Sequence, residues 1–301
     1  MKLSTLEFLP DKTRVLLLDE FRKRILSDKE GIMKKLGVSR NTINTWIRGE
    51  YRPSIKQLKM LGVTLSKSQN EIKELGLEGG KVIRLSKEMP TTELSWIVGI
   101  LDGDNTGKRD GIGISNQDIN LVKTFIDITS KLFGCNREDF KVYVTWYTNE
   151  PLSEIAKFLE INEKQIRYYK PSKTSYKINS PQVQAVFYSR TIKKFLENIK
   201  NTFSINSIQF AWYVRGLADS DGGFARNNIT ISQKYNKIKN LEIVKKILDS
   251  FEIQNGGIKG PDSKNMLRIN IFSDKQNLKK YNNFIGFYSK PKLEKLNSLI
   301  T

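Results

Sequence analysis

"GLADSDGGF", residues 216–224, sets two carboxylates two positions apart, among glycines, at the end of an apolar run. The chain around it has 301 residues, with 51 Lys and Arg against 32 Asp and Glu, a formal net charge of +19. Paired acids in so basic a chain imply a specific use. The pattern occurs a second time, as "IVGILDGDN" (97–105), beside "VRGLADSDG" (214–222). At an offset of 117 (221 − 104), Gly99 falls on Gly216, Asp102 on Asp219, Gly103 on Ser220 and Asp104 on Asp221. Without a gap, "GISN" (113–116) then falls on "TISQ" (230–233), so Asn116 matches Gln233. An amphipathic helix follows each time, with Leu121, Phe125, Ile128 and Leu132 on one face, and Leu241, Val244, Leu248 and Phe251 on the other copy's face. The chain therefore carries one unit of helix, short hairpin and helix twice over, at 91–205 and 206–301.

Gly99 and Gly103 lie on one helix face, as do Gly216 and Ser220, since they stand four residues apart. Small residues at that spacing let two helix backbones approach closely. If the two helices pack along these stripes, Asp104 and Asp221 meet at their ends. Carboxylates at close range raise each other's pKa, and they stay ionised together only with a cation between them. Carboxylate and water oxygens suit Mg²⁺, with Mn²⁺ as an alternative. Asn105 and Gly222 are the expected left-handed turn residues that end each helix.

The bulk composition narrows the chemistry. There is no histidine and a single cysteine, Cys135. That excludes Ser–His and Cys–His nucleophiles, imidazole zinc sites, a histidine base and internal disulfides. Any hydrolysis must use carboxylates, lysines and an oxygen-ligated metal. No apolar run approaches membrane-spanning length, so a soluble cytoplasmic protein without a membrane partner is expected. The excess of positive charge, spread along the whole chain, points to a polyanion, with nucleic acid first.

Residues 1–65 read as a small all-α domain. "EGIMKKLGVSRNTINTWIRG" (30–49) has the helix-turn-helix pattern: Ile32 and Leu36 on a first helix, Gly37 and Val38 at the turn, Ser39 as N-cap, and Ile43, Trp46 and Ile47 on the inner face of a second helix. Arg40, Asn41, Asn44, Thr45 and Arg48 are left facing outward, side chains of the kind that contact bases and phosphates. The stretch resembles the helix-turn-helix of Cro-type repressors. Residues 66–90, with Gly79-Gly80, read as a linker with a short connecting element.

The paired motifs resemble those of the LAGLIDADG homing endonucleases in their two-motif, single-chain form, and the resemblance spans roughly 90–301. The ending "FIGFYSKPKLEKL" (284–296) is also similar to the family's repeat ending. The resemblance implies an α+β fold of two pseudo-symmetric αββαββα halves with sheets curved over duplex DNA. It implies a monomer in which Asp104 and Asp221 bind metal and direct water at the scissile phosphates. Asn116 and Gln233 fall where the family has a polar residue beside the active site, and Lys292 looks like its basic residue. In the first copy the matching stretch "FSINSIQ" has Asn206 and no lysine, so one strand is expected to be cut more slowly. Asp102 and Asp219 are read as supports of the helix ends.

Strand alternation supplies the reading surface. Ile229 and Ile231 point inward, and Asn228, Thr230, Ser232 and Lys234 outward. Leu267, Ile269 and Ile271 alternate with Arg268 and Asn270. The insert "NEPLSEIAKFLEINEKQIRYYK" (149–170) breaks the first copy's sheet and looks helical, with Lys164, Arg167 and Lys170 for backbone contacts. Two other functions fit the same residues. One is a non-cutting DNA-binding regulator, favoured by the repressor-like N-terminus. The other is an RNA maturase, which would prefer structured intron RNA to duplex DNA.

Overall fold

The computed structural model describes residues 23–48, 57, 60, 75–78, 81–84, 91–104, 106–107, 111–148, 151–171, 180–200 and 207–301. Asn105, Asn206 and Gly79-Gly80 lie outside these, as does most of the ground between 49 and 90. The chain divides into two compact units, one of 1–89 with 131–135, the other of 90–130 with 136–301.

In the first unit, α1 (Lys29–Leu36) and α2 (Arg40–Arg48) are joined by Gly37 in the left-handed conformation, φ 63°. Asp28 caps α1 by accepting the Gly31 N–H at 2.9 Å. Ser39 caps α2, its Oγ accepting the Thr42 N–H at 3.2 Å. Ile32, Ile43 and Trp46 are buried. The stretch read as linker contains an antiparallel hairpin of β1 (Leu75–Glu78) and β2 (Lys81–Arg84).

In the larger unit each half opens on a motif helix. These are α3 (Thr91–Asp104) and α7 (Ser207–Asp221). The second half continues with β7 (Gly222–Ala225), β8 (Asn228–Lys234), α8 (Ile238–Ser250), β9 (Asn255–Lys259), β10 (Met266–Ile271), α9 (Lys275–Phe284) and α10 (Lys290–Ile300). Its sheet runs β7-β8-β10-β9, all neighbours antiparallel. This is the αββαββα order with one further helix.

The first half departs from that order. After α3 come β3 (Gly111–Asn116), α4 (Ile119–Phe133), β4 (Lys141–Thr145), α5 (Leu152–Leu159), β5 (Ile166–Tyr169), β6 (Gln182–Tyr188) and α6 (Arg190–Lys200). The sheet runs β3-β6-β4-β5. The insert is helical over α5, where Ile155, Ala156 and Leu159 bury one face. Its end is a strand, however. "IRYY" is aromatic and β-branched and pairs in parallel with β4, Val142 opposite Ile166. The insert thus extends the sheet rather than breaking it. Arg137 secures α5 by donating to the Leu159 carbonyl at 2.8 Å and pairing with Asp127 on α4.

The core forms where the alternation placed it. Ile112, Ile114, Val142, Val144, Ile229, Ile231, Leu267, Ile269 and Ile271 are buried, as are Leu121, Phe125, Leu241, Val244 and Leu248 on the following helices. Each such side chain contributes about 1.5–3 kcal/mol on leaving water.

Candidate functional site

α3 and α7 make the most extensive helix–helix contact among the described elements. A Cβ built on Gly99 would lie 2.1 Å from the Tyr213 carbonyl oxygen, and one on Gly216 would lie 2.2 Å from that of Trp96. Trp96 and Tyr213 are themselves 117 apart (213 − 96), so the two contacts are one contact repeated about a pseudo-twofold axis. Further along, a Cβ on Gly103 would meet Ser220 Oγ at 1.9 Å and Asp221 Cγ at 3.3 Å. The small-residue stripes therefore meet, and the helices end side by side. Gly222 does not take the left-handed turn expected of it. It begins β7, and a side chain there would strike the Ala218 carbonyl at 2.4 Å. The glycine is needed because strand and helix backbones touch.

Asp104 and Asp221 sit half-buried at these ends. Burial raises the pKa of both above the ordinary carboxylate value, and Asp221 is raised further by the charge of Asp104. Lys237 opposes this at both acids, and Lys292 at Asp221. Gln233, buried on β8, donates from Nε2 to Asp221 Oδ2 and accepts from Asn240 Nδ2 at 3.3 Å. Its counterpart Asn116 is used otherwise, accepting the Asp118 N–H at 2.9 Å. Asp104 instead takes the backbone N–H of Ser115 at 3.1 Å. The first half offers a shorter side chain and fills the place with main chain.

Lys292, on α10, donates from Nζ to the carbonyls of Ala218 at 2.9 Å and Asp219 at 2.6 Å. Burial lowers its pKa, while Asp219, Asp221 and Asp118 raise it. Lys237, between β8 and α8, donates to the Asp102 carbonyl at 2.5 Å. Each motif helix so has an ammonium at its negative end, and both come from the second half. Lys237 was not singled out in the sequence, where it is one lysine of several in "KYNKIKNL". Its standing four residues after Gln233 was the available signal.

The inner acids, expected to support helix ends or loops, also hold the pair together across the axis. Trp96 Nε1 donates to Asp219 Oδ2 at 2.8 Å, and Tyr213 Oη donates to Asp102 Oδ2 at 2.7 Å. Asp219 also accepts the N–H of Ser289 at 2.9 Å and of Tyr288 at 3.0 Å. Burial nevertheless carries its pKa up to about 6. Asp118 of the first half reaches the second, accepting Ser289 Oγ at 2.9 Å and the Lys290 N–H at 3.0 Å at the start of α10.

The outward residues of the second sheet lie together. Arg268 pairs with Ser232, Asn270 with Thr230 and Met266 with Lys234 in register. Thr230 Oγ1 donates to Asn270 Oδ1 at 2.9 Å, and Asn228 Oδ1 accepts the Ser273 N–H. In the N-terminal unit Arg40, Asn41 and Arg48 are exposed. Asn44 is half-buried and accepts from Lys29 Nζ at 2.6 Å, and Thr45 Oγ1 donates back to the Thr42 carbonyl at 2.7 Å.

Among the described residues no three acidic or cysteine side chains converge on a common metal position, and no helix is long and apolar enough to cross a membrane. The pair of acids, with backbone and water oxygens to complete a shell, is a donor set suited to a hard divalent cation. Its mutual charge gives such an ion a reason to bind.

No family model matches the chain, and no curated protein matches its sequence. Among solved structures it is similar to the homing endonuclease I-DmoI in complex with DNA and Mn, at 16% identity and TM-score 0.39, over 65% of this chain and 97% of that one. It is similar to I-DmoI with DNA and Ca at 15% identity and TM-score 0.41, over 70% and 100%. The N-terminal LAGLIDADG domain of DUF199/WhiA is a third, at 17% and 0.38, over 67% and 86%.

Proposed function

We propose that the chain is a LAGLIDADG-type endonuclease that hydrolyses both strands of a duplex DNA site. The observation that carries this reading is the meeting of Asp104 and Asp221 at the joined ends of α3 and α7, secured by glycine-to-backbone contacts on both sides. A DNA-binding protein has no use for two acids aimed at phosphate unless they hold a cation. Asp104 and Asp221 would hold Mg²⁺ or Mn²⁺, which when bound supplies an activated water and charge neutralisation at phosphorus. Gln233 fixes the rotamer of Asp221 and leaves its second oxygen for a ligand. The Ser115 N–H does the same for Asp104. Lys237 and Lys292 hold positive charge where negative charge grows in the transition state. The outer faces of the two sheets would lie on the duplex, with Asn228, Thr230, Ser232, Lys234, Arg268 and Asn270 toward the bases. Arg40, Asn41 and Arg48 are the exposed candidates on the helix-turn-helix, which we read as a second DNA-binding element.

The test is incubation with a random duplex library in Mg²⁺ and in EDTA. Wild-type protein should release a defined set of cleaved sites only in Mg²⁺. Asp104→Asn and Asp221→Asn should each lower the rate by at least about a thousandfold, since each removes a charge from the metal pair. Undiminished cutting by both variants would exclude the mechanism. A second reading is a DNA binder that does not cut. It is favoured by Asn116, which is turned from Asp104 toward Asp118. Under it, sites are enriched by binding and none is cleaved.

A further inference from the structure

The two sheets present unlike chemistry on their outer faces. In the second sheet this face is polar and basic, with Thr230 against Asn270, Ser232 against Arg268 and Lys234 at the end of the strand. In the first it is a ridge of phenols. Tyr143 stands between Arg167 on β5 and Gln184 on β6 in register. The Tyr143 and Tyr169 rings have centroids 6.1 Å apart, and the Tyr143 and Tyr188 hydroxyls are 3.3 Å apart. Tyr169 is 50% and Tyr188 41% exposed. No Asp or Glu occurs in β3, β4, β5 or β6, whereas Lys141 and Arg167 are exposed there. Such a face suits a polyanion with apolar edges, and strand β5, which the insert contributes, completes it.

We propose that this tyrosine ridge recognises an A·T-rich half of a duplex DNA site, while the second sheet reads a half containing G. The proposal rests on the DNA-binding reading above and adds the base chemistry of each half. In the major groove, thymine offers a methyl group to apolar side chains and adenine a bidentate edge to Gln. The rings already touch one another, so they lose little freedom on docking. Among the described residues Gln184 donates over a long 3.4 Å to the Thr106 carbonyl, a bond weak enough to be released for a base. Across the molecule Arg268 suits guanine O6 and N7, and Asn270 suits adenine. The Tyr-rich half reads few guanines because it holds Arg167 alone on β5 and Lys141 at the sheet's end.

The experiment is selection of bound duplexes from a random library in EDTA, with a single-stranded library in parallel. Wild-type protein should enrich a site with T and A at one end and at least one G at the other. The Tyr143→Ala and Tyr169→Ala double variant should lose about tenfold or more in discrimination at the A·T end, with the other end intact. Arg268→Ala should do the reverse. If the double variant does not fold, Tyr169→Ala alone carries the same expectation at smaller size. Unchanged base preference in the tyrosine variants overturns the proposal, as does loss at both ends or preferential enrichment of single strands. Failure of wild-type protein to enrich any duplex overturns the DNA-binding reading itself.

Discussion

The Asp219 carboxylate shows how the helix pair is fixed at the level of single groups. It is buried with the indole N–H of Trp96 and two backbone N–H donors upon it, and burial still keeps its pKa near 6. Removing one donor leaves a buried acceptor short of a partner. Trp96→Phe should cost about 1–3 kcal/mol in urea unfolding. Tyr213→Phe should cost less, about 1 kcal/mol, because Asp102 is only half-buried and water can replace the phenol. Equal losses would contradict the role given to burial. Of these groups the sequence showed the acids and their support role. It did not show the donors, although Trp96 and Tyr213 keep the 117-residue offset. Aromatic residues on an apolar helix read as core, and the hydrogen bond at one end of each ring is invisible until the partner helix is placed.

Among the elements, the joint between α3 and α7 decides whether the candidate centre exists. Gly216→Ala puts a methyl group 2.2 Å from the Trp96 carbonyl, and both backbones are rigid helix. We expect a loss of about 3 kcal/mol or more in chemical unfolding, at the upper end of overpacking effects. Gly223→Ala, on β7 with nothing within 4 Å of its would-be Cβ, should be nearly neutral. The glycine spacing made this joint legible from the repeat alone, and with it the meeting of Asp104 and Asp221. The strand β5 was less legible. "KQIRYYK" follows directly on a helical stretch, and a four-residue strand has too few alternations to outweigh that neighbour. Nor did register show that Asn116 would turn to Asp118. A matched position fixes the backbone, whereas a side chain one methylene shorter than Gln233 finds the nearer donor.

For the molecule as a whole, the proposed DNA binding is a question of charge. With a net charge of +19, binding should be dominated by displaced counterions. If six to ten phosphates are contacted, affinity should fall by about 10³–10⁵ between 50 and 200 mM salt, measured by fluorescence anisotropy on a selected duplex. A flat salt response would show that the basic residues serve some other end. The α+β class and the two halves, each with its own sheet, were legible in composition and repeat, because each depends on many residues at once. The hairpin of β1 and β2 was not, since "LGLEGGKVIR" has little more than its glycine pair to mark it.

The hydrogen bonds from Trp96 to Asp219 and from Tyr213 to Asp102 run in opposite directions across the axis. Trp96 also meets Tyr288 edge-on at 5.2 Å, a fit that a phenol at that position would not fill. Were the chain severed between Lys200 and Ser207, each fragment would carry an acid whose donor had left with the other. The pieces should therefore seek one another and rejoin as an unlike couple, in preference to twins of either kind.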